Sequence, residues 1–138
     1  MEEVGSAVRS FSPGDFVVVP FCHCDNTCVH CARGVQSACV NGSGTVGGQA
    51  EHVLVNQAEG SLVATPGMPD DDLIPSILTL SDVMCTGWHA AVSAGVGPDT
   101  TVAVVGDGAV GLCAVLAAVQ LGAPVVIAMS RHEARQKV

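Results

Sequence analysis

Aromatic side chains are almost missing from this chain, with three Phe, one Trp and no Tyr in 138 residues. The core must therefore be built from Val, Ala, Leu and Ile, and long Val-rich runs suit the buried strands of an α/β sheet. Basic residues are nearly as scarce. Five Lys and Arg against 13 Asp and Glu leave a formal charge of −8. That is the wrong sign for neutralising nucleic-acid phosphates or for holding an anionic membrane surface. No stretch reaches the ~18 uninterrupted apolar residues of a membrane span. The acidic start, Met1-Glu2-Glu3, lacks the charged-then-apolar order of a signal peptide. These absences predict a cytoplasmic protein with neither nucleic acid nor membrane as partner. In a reducing compartment, closely spaced cysteines read as metal ligands before disulfides.

Along the chain, Val4–Val8 and Phe16–Val19 are short β-like runs separated by a Ser12-Pro13-Gly14-Asp15 turn. Residues 22–48 are cysteine-rich and then glycine-rich, and nothing there can build a conventional core. Glu51–Val55 and Ser61–Ala64 read as further strands, the second ended by Pro66-Gly67. A joint rich in Pro and Asp (68–72) then opens a helical stretch. Leu73, Ile77, Leu80 and Met84 recur at helical spacing, with Asp71 or Asp72 as the cap. A second helix is expected over Thr86–Ala94, stopping at Gly95.

From Thr100 the pattern changes. Thr101–Val105 is a continuous apolar strand, an Ala- and Leu-rich helix runs to Leu121 with Gly122 as its stop, and Val125–Met129 is the next strand. Arg131–Val138 reads as the beginning of another helix. Strand, glycine turn, helix, strand is one βαβ unit of a parallel sheet. One such unit cannot make a doubly wound sheet of about five or six strands, so the sequence reads as cut.

The turn Gly106-Asp107-Gly108-Ala109-Val110-Gly111 fits G-x-G-x-x-G, directly after an apolar strand and directly before a helix. In that context it reads as a dinucleotide site. Gly106 allows the tight turn, Gly108 lets the backbone approach a pyrophosphate, and Gly111 lets helix and strand pack closely. The helix N-terminus supplies N–H donors. An NAD site would place Asp or Glu at the end of the second strand, to bond the adenosine 2′-hydroxyl. Ser130 stands there instead. Loss of the acid removes repulsion toward a 2′-phosphate, which Arg131 would pair with, helped by Arg135. NADP(H) is therefore preferred over NAD(H).

Cys28-x2-Cys31-x7-Cys39 supplies three soft ligands within twelve residues, and a tetrahedral zinc site needs four. Stepping back the same interval from Cys28 lands on Asp25, and Cys24 is adjacent. Cys24 offers the softer atom, but the regular spacing favours Asp25 as the fourth ligand. Four protein ligands leave no open coordination position, so such a site organises structure and does not catalyse. His23 and His30 lie in the same lobe and are competing candidates for the metal, with solvated surface positions favoured over that role. His52, His89 and His132 read as ordinary packing or surface positions.

These two features in this order, about seventy residues apart, resemble the zinc-dependent medium-chain dehydrogenase/reductase family. Glu2-Glu3-Val4-Gly5 and Pro13-Gly14-Asp15-Phe16-Val17 resemble its strands and turn before the zinc lobe. Asp25, Cys28, Cys31 and Cys39 resemble its four structural zinc ligands, with Asp in the first position a departure. Leu80-Ser81-Asp82-Val83-Met84-Cys85-Thr86-Gly87-Trp88 is similar to the segment bearing its third catalytic zinc ligand. The Asp there is the choice of the formaldehyde-dehydrogenase-like branch. The resemblance implies that Asp82 is a catalytic zinc ligand, that Thr86 lies near the nicotinamide, and that Cys85 is a packed cysteine near the site. The bare residues would instead make Asp82 a helix cap.

The resemblance further implies an α/β architecture in two parts. Residues 1–80 would be the C-terminal part of a GroES-like β-barrel catalytic domain with a zinc lobe at 22–40. Residues 81–138 would be a linking helix and the first βαβ unit of a Rossmann dinucleotide-binding domain. The implied activity is zinc-assisted hydride transfer between an alcohol and NADP(H) or NAD(H), giving an aldehyde or ketone, in an enzyme that is a homodimer or homotetramer when full length. The family's other catalytic zinc ligands would precede Met1, so the 138-residue chain by itself is expected to be inactive. The rival reading is a truncated, non-enzymatic zinc-binding module. A zinc-free reductase of the same fold fits less well, because such reductases generally lack the cysteine lobe.

Overall fold

The computed structural model describes residues 1–44 and 47–135. The chain divides into two compact units, Met1–Ser81 and Asp82–Val138, with mixed α and β content in short elements.

In the first unit, β1 (Val17–Val18) pairs antiparallel with β4 (Val63–Ala64), Val17 opposite Ala64 and Val18 opposite Val63. The pairing extends through Thr65 N–H to the Phe16 carbonyl at 3.1 Å. β2 (Cys22–His23) pairs antiparallel with β3 (Ser43–Gly44). Between β2 and β3 the chain makes two 3-10 turns, Cys31–Arg33 and Gln36–Ala38. A four-residue helix, α1 (Ala58–Ser61), follows and leads into β4. The core of this unit is small: Val18, Cys24, Cys31 and Leu62 are its buried apolar side chains, with His23 and Ser61 beside them.

Several expected elements differ. The turn at Ser12–Asp15 is present, closed by Asp15 N–H to the Ser12 carbonyl. Val4–Val8 and Glu51–Val55 are not strands. Both segments line the same open cavity of about 620 Å³, and a strand without a neighbour leaves its backbone donors and acceptors to water. Leu54 accordingly stands 83% exposed. Residues 9–10 are anchored differently: the Glu59 carboxylate accepts both the Arg9 and the Ser10 N–H, and the Ser10 hydroxyl at 2.8 Å. Those backbone donors hold the Glu59 carboxyl below the usual range.

The helical stretch after the Asp-rich joint is interrupted. α2 (Ile74–Leu78) passes into a 3-10 turn at Thr79–Ser81. Asp82 takes a non-helical conformation (φ −154°, ψ −73°), and α3 (Val83–Ser93) starts after it. Neither Asp71 nor Asp72 caps α2. Leu73 occupies that position without a side-chain bond, and the carbonyl of Asp70 takes its N–H at 2.9 Å.

In the second unit α3 ends as expected, at Ala94 with Gly95 left-handed (φ +68°). β5 (Thr101–Val105), α4 (Ala109–Gln120) and β6 (Val125–Met129) form the βαβ unit. The strands are parallel and in register from Thr101 opposite Val125 to Val105 opposite Met129. α3 packs on α4 through small side chains, with Gly87, Ala91, Cys113, Ala117 and Ala118 buried. A Cβ on Gly87 would lie 2.6 Å from the Ala114 nitrogen, so the two backbones approach about as closely as atoms permit. Arg131–Arg135 make a turn closed by Arg135 N–H to the His132 carbonyl. The rest of the helix expected there lies outside the described residues. Among the described residues no helix is long and apolar enough to cross a membrane.

Candidate functional site

Among the described residues, the first unit gathers one metal-capable cluster. Asp25, Cys28, Cys31 and Cys39 each offer a ligand atom, all within 4.8 Å of one another. Cys28 Sγ lies 3.5 Å from Cys31 Sγ and 3.9 Å from Cys39 Sγ. Thiolates bound tetrahedrally at about 2.3 Å would stand about 3.8 Å apart. The thiols are therefore spaced for a zinc ion and are far beyond the ~2.05 Å of a disulfide. Local folding produces this spacing. The 3-10 turn at Cys31–Arg33 closes with Gly34 left-handed (φ +78°), and Ala32 N–H reaches the Cys28 carbonyl at 2.9 Å, curling Cys28 and Cys31 onto one side.

Asp25 joins them through its own carboxylate. Oδ1 accepts the N–H groups of Thr27 at 2.8 Å and Cys28 at 3.0 Å. Oδ2 accepts the Asn41 amide N–H at 2.6 Å. The Thr27 N–H first, then Asn41 and the Cys28 N–H, hold the Asp25 carboxyl well below the usual carboxylate range. Cys24 is turned away from the cluster, its thiol donating to the Gly60 carbonyl at 3.2 Å. Backbone N–H groups of Cys31, then Val40, draw the Cys28 thiol down to about 7. Burial, followed by the neighbouring Cys28 and Cys39 thiols, pushes Cys31 up to about 12. A dication supplies what those crowded thiols need in order to ionise together.

The histidines differ from expectation. His23 is not on the surface: it is buried in β2, 2% exposed, because pairing with β3 turns it inward. His30 is half-buried and its carbonyl closes the turn to Arg33 and Val35. Neither belongs to the metal cluster. Sequence reasoning also missed Asn41, which looked like part of a glycine-rich turn, and Gln57–Ser61, which looked like loop and strand.

In the second unit, Gly106 takes φ +125°, open to glycine and strained for any other residue. Its N–H donates to the Met129 carbonyl at 3.1 Å, continuing the parallel ladder. A Cβ on Gly111 would lie 2.2 Å from the Gly106 oxygen, so the helix start and the turn can meet only through glycine. No atom lies within 4 Å of where a Cβ on Gly108 would be, leaving that backbone open to approach. Gly108 caps α4, and Ala109 and Val110 begin it. This turn offers N–H donors and a partial positive charge to an anion.

Beside it, Asp107 Oδ2 accepts the Ser130 hydroxyl at 2.6 Å, and Arg135 Nη1 lies 3.5 Å from Asp107 Oδ1. The Ser130 hydroxyl chiefly holds the Asp107 carboxyl below its ordinary value. The strand end thus does meet a carboxylate, contributed by the turn. Arg131 is exposed.

Asp82 is exposed and immediately precedes α3, without a side-chain cap bond. The Thr86 N–H and hydroxyl both donate to the Asp82 carbonyl, at 3.3 and 3.4 Å. Cys85 is exposed, contrary to the packed position expected, since its place on α3 does not face α4 as Gly87 and Ala91 do. Among the described residues Asp82 belongs to no metal-capable group.

The first unit thus carries a zinc-spaced lobe and the second a glycine-turn βαβ unit. Residues 1–67 match the alcohol dehydrogenase GroES-like domain. A glutathione-independent formaldehyde dehydrogenase of Pseudomonas aeruginosa is 39% identical over 140 residues, covering 91% of this chain and 35% of that protein. An alcohol dehydrogenase from Thermus sp. ATN1 superposes with a TM-score of 0.86 at 29% identity, over 99% of this chain and 41% of that one. A cobalt- and zinc-bound thermostable alcohol dehydrogenase from Pyrobaculum aerophilum does so at 0.79 and 35% identity, over 99% and 40%. Its first 67 residues match the alcohol dehydrogenase GroES-like domain, and its fold is similar to that of zinc-dependent alcohol dehydrogenases. It spans about a third of the length of the formaldehyde dehydrogenase it matches.

Proposed function

We propose that this chain carries the structural zinc lobe and the first dinucleotide-binding unit of an enzyme that interconverts an alcohol and an aldehyde or ketone by hydride transfer to or from NADP(H) or NAD(H). The observation that carries the reading is the Asp25–Cys28–Cys31–Cys39 cluster, whose thiol separations suit a tetrahedral zinc. A second zinc, held in part by Asp82, would act as Lewis acid on the substrate oxygen. Thr86, one turn along α3, would lie near the nicotinamide.

The Gly106–Gly111 turn would seat the pyrophosphate, with Gly108 admitting it to the backbone. At the ribose, Ser130 and the exposed Arg131 favour NADP(H). The Asp107 carboxylate opposes a 2′-phosphate unless Arg135, already beside it, continues to offset its charge. The chain would be cytoplasmic and act within a homodimer or homotetramer.

Two measurements test this reading. Purified 138-residue chain should hold about one zinc, as a closed four-ligand site requires, and a chain that takes up none ends the proposal. The whole protein from its source should oxidise simple alcohols with formation of reduced nicotinamide, and inactivity toward alcohols and aldehydes alike would remove the enzymatic reading. The isolated chain should turn over no alcohol, because among the described residues Asp82 belongs to no group of three or more metal-capable side chains; turnover by it would refute the role given to Asp82. For that chain alone, the single cluster supports a zinc-binding module.

A further inference from the structure

Cys24 and Asp25 are adjacent, both able to bind zinc, and held in opposite directions by the same short element. The end of α1 clasps Cys24 three times. Its N–H donates to Ser61 Oγ at 2.9 Å, the Ser61 hydroxyl returns a bond to its carbonyl at 3.1 Å, and its thiol donates to the Gly60 carbonyl. A Cβ on Gly60 would lie 2.3 Å from the Cys24 oxygen and 2.6 Å from the Asp25 carbonyl carbon, so the two backbones rest on each other there. The start of α1 reaches the other partner. Gln57, left-handed at φ +58°, donates its side-chain amide to the Asn41 carbonyl, and the Asn41 side chain donates to Asp25 Oδ2.

A carboxylate has about four lone-pair directions. Oδ1 spends two on Thr27 and Cys28, and Oδ2 spends one on Asn41. The remaining direction faces the cluster, where Asp25 also meets the Cys31 thiol.

We propose that Asn41, braced by Gln57, is the positioning residue that makes Asp25 the fourth zinc ligand, while Gly60 and Ser61 withhold the Cys24 thiol, so that the site is three sulfurs and one oxygen. This rests on the reading of the cluster as a zinc site. Groups that orient a ligand without touching the metal typically contribute about 10- to 100-fold in metal affinity.

The test is cobalt(II) substitution of the 138-residue chain, with thiolate-to-cobalt absorption reporting sulfur number and chelator competition reporting release. Cys24→Ala should leave stoichiometry and thiolate absorption unchanged. Asn41→Ala should bind the same amount of cobalt with the same thiolate absorption and lose it to chelator about 10- to 100-fold more readily, and Asn41→Gln, which keeps an amide donor, should recover part of that loss. A drop in thiolate absorption in Cys24→Ala would overturn the proposal by making Cys24 the ligand. Unchanged release from Asn41→Ala would overturn it while leaving the zinc reading intact. Failure of the unsubstituted chain to take up stoichiometric cobalt would overturn both.

Discussion

Stripping the metal should open the lobe at residues 22–40 rather than merely loosen it. Only His23, Cys24 and Cys31 are buried within that stretch, and Cys31 is itself a proposed ligand. Its strand contribution is the two-residue β2. A structural zinc is worth about 10–16 kcal/mol in small zinc-finger peptides, as much as the ~5–15 kcal/mol that stabilises a whole domain. With so little apolar burial, the lobe has no comparable substitute. Amide hydrogen exchange on zinc-loaded and chelated chain reads this directly. The donors to follow are Ala32, Arg33, Gly34 and Cys39, whose N–H groups close the turns onto Cys28, His30, Cys31 and Gln36. They should be protected with zinc, unprotected after chelation and protected again when zinc is restored. Acidification should mimic the chelator. Zinc needs thiolates, so binding expels protons and weakens as pH falls. Cys31, raised to about 12 without metal, releases a proton to solvent when it binds the metal at any neutral pH, whereas Cys28, lowered to about 7, does so mainly below that value. Protection that survives verified removal of the metal would refute the claim that coordination orders the lobe.

The two contact glycines of the second unit give sharper mutational expectations. Gly111→Ala would put a methyl 2.2 Å from the Gly106 oxygen, so either the turn or the start of α4 must shift. Overpacking of this kind costs about 1–3 kcal/mol, and the variant should both melt earlier and bind dinucleotide more weakly in the whole protein; unchanged affinity would show that the turn does not seat the nucleotide. Gly87→Ala should destabilise by a similar ~1–3 kcal/mol, through contact with the Ala114 nitrogen and Cys113. It touches no proposed ligand, so cobalt stoichiometry should stay the same while the thermal midpoint falls, and an unchanged midpoint would contradict the close α3–α4 packing.

The second unit was the more legible in the sequence. Thr101–Val105 and Val125–Met129 fold as strands at the expected bounds, because both are continuous apolar runs, the first followed and the second preceded by a glycine turn, where pattern and tertiary demand agree. The four-residue metal grouping was legible for the related reason that ligand spacing is a local property. What could not be read was which segments find partners distant in sequence. Val4–Val8 has strand composition and, among the described residues, no strand paired with it, and Asp71 and Asp72 have cap chemistry beside a helix that starts later. His23 was misread because its burial depends on β3, twenty residues on. Ser130 was read as the lack of an acid, whereas the chain brings Asp107 to it from 23 residues away.

Scarcity of aromatic side chains explains how both units keep their order. With three Phe and one Trp, large flat groups are not available to fill gaps between elements, so the gaps must be closed another way. In the first unit the proposed solution is coordination: four metal-capable side chains converge on one point, and Gly60 lets the backbone at Cys24–Asp25 rest against α1. In the second it is close approach, Gly87 against Cys113 and Ala114, Gly111 against Gly106. Each device concentrates stability in a few positions that admit no larger side chain or no change of ligand. Residues such as Leu54, Val105 and Val119, more than half exposed, carry little of it by contacts within the chain. Substitutions should therefore be tolerated at many apolar positions and at almost none of these small or metal-facing ones, the reverse of what a large-residue core would give.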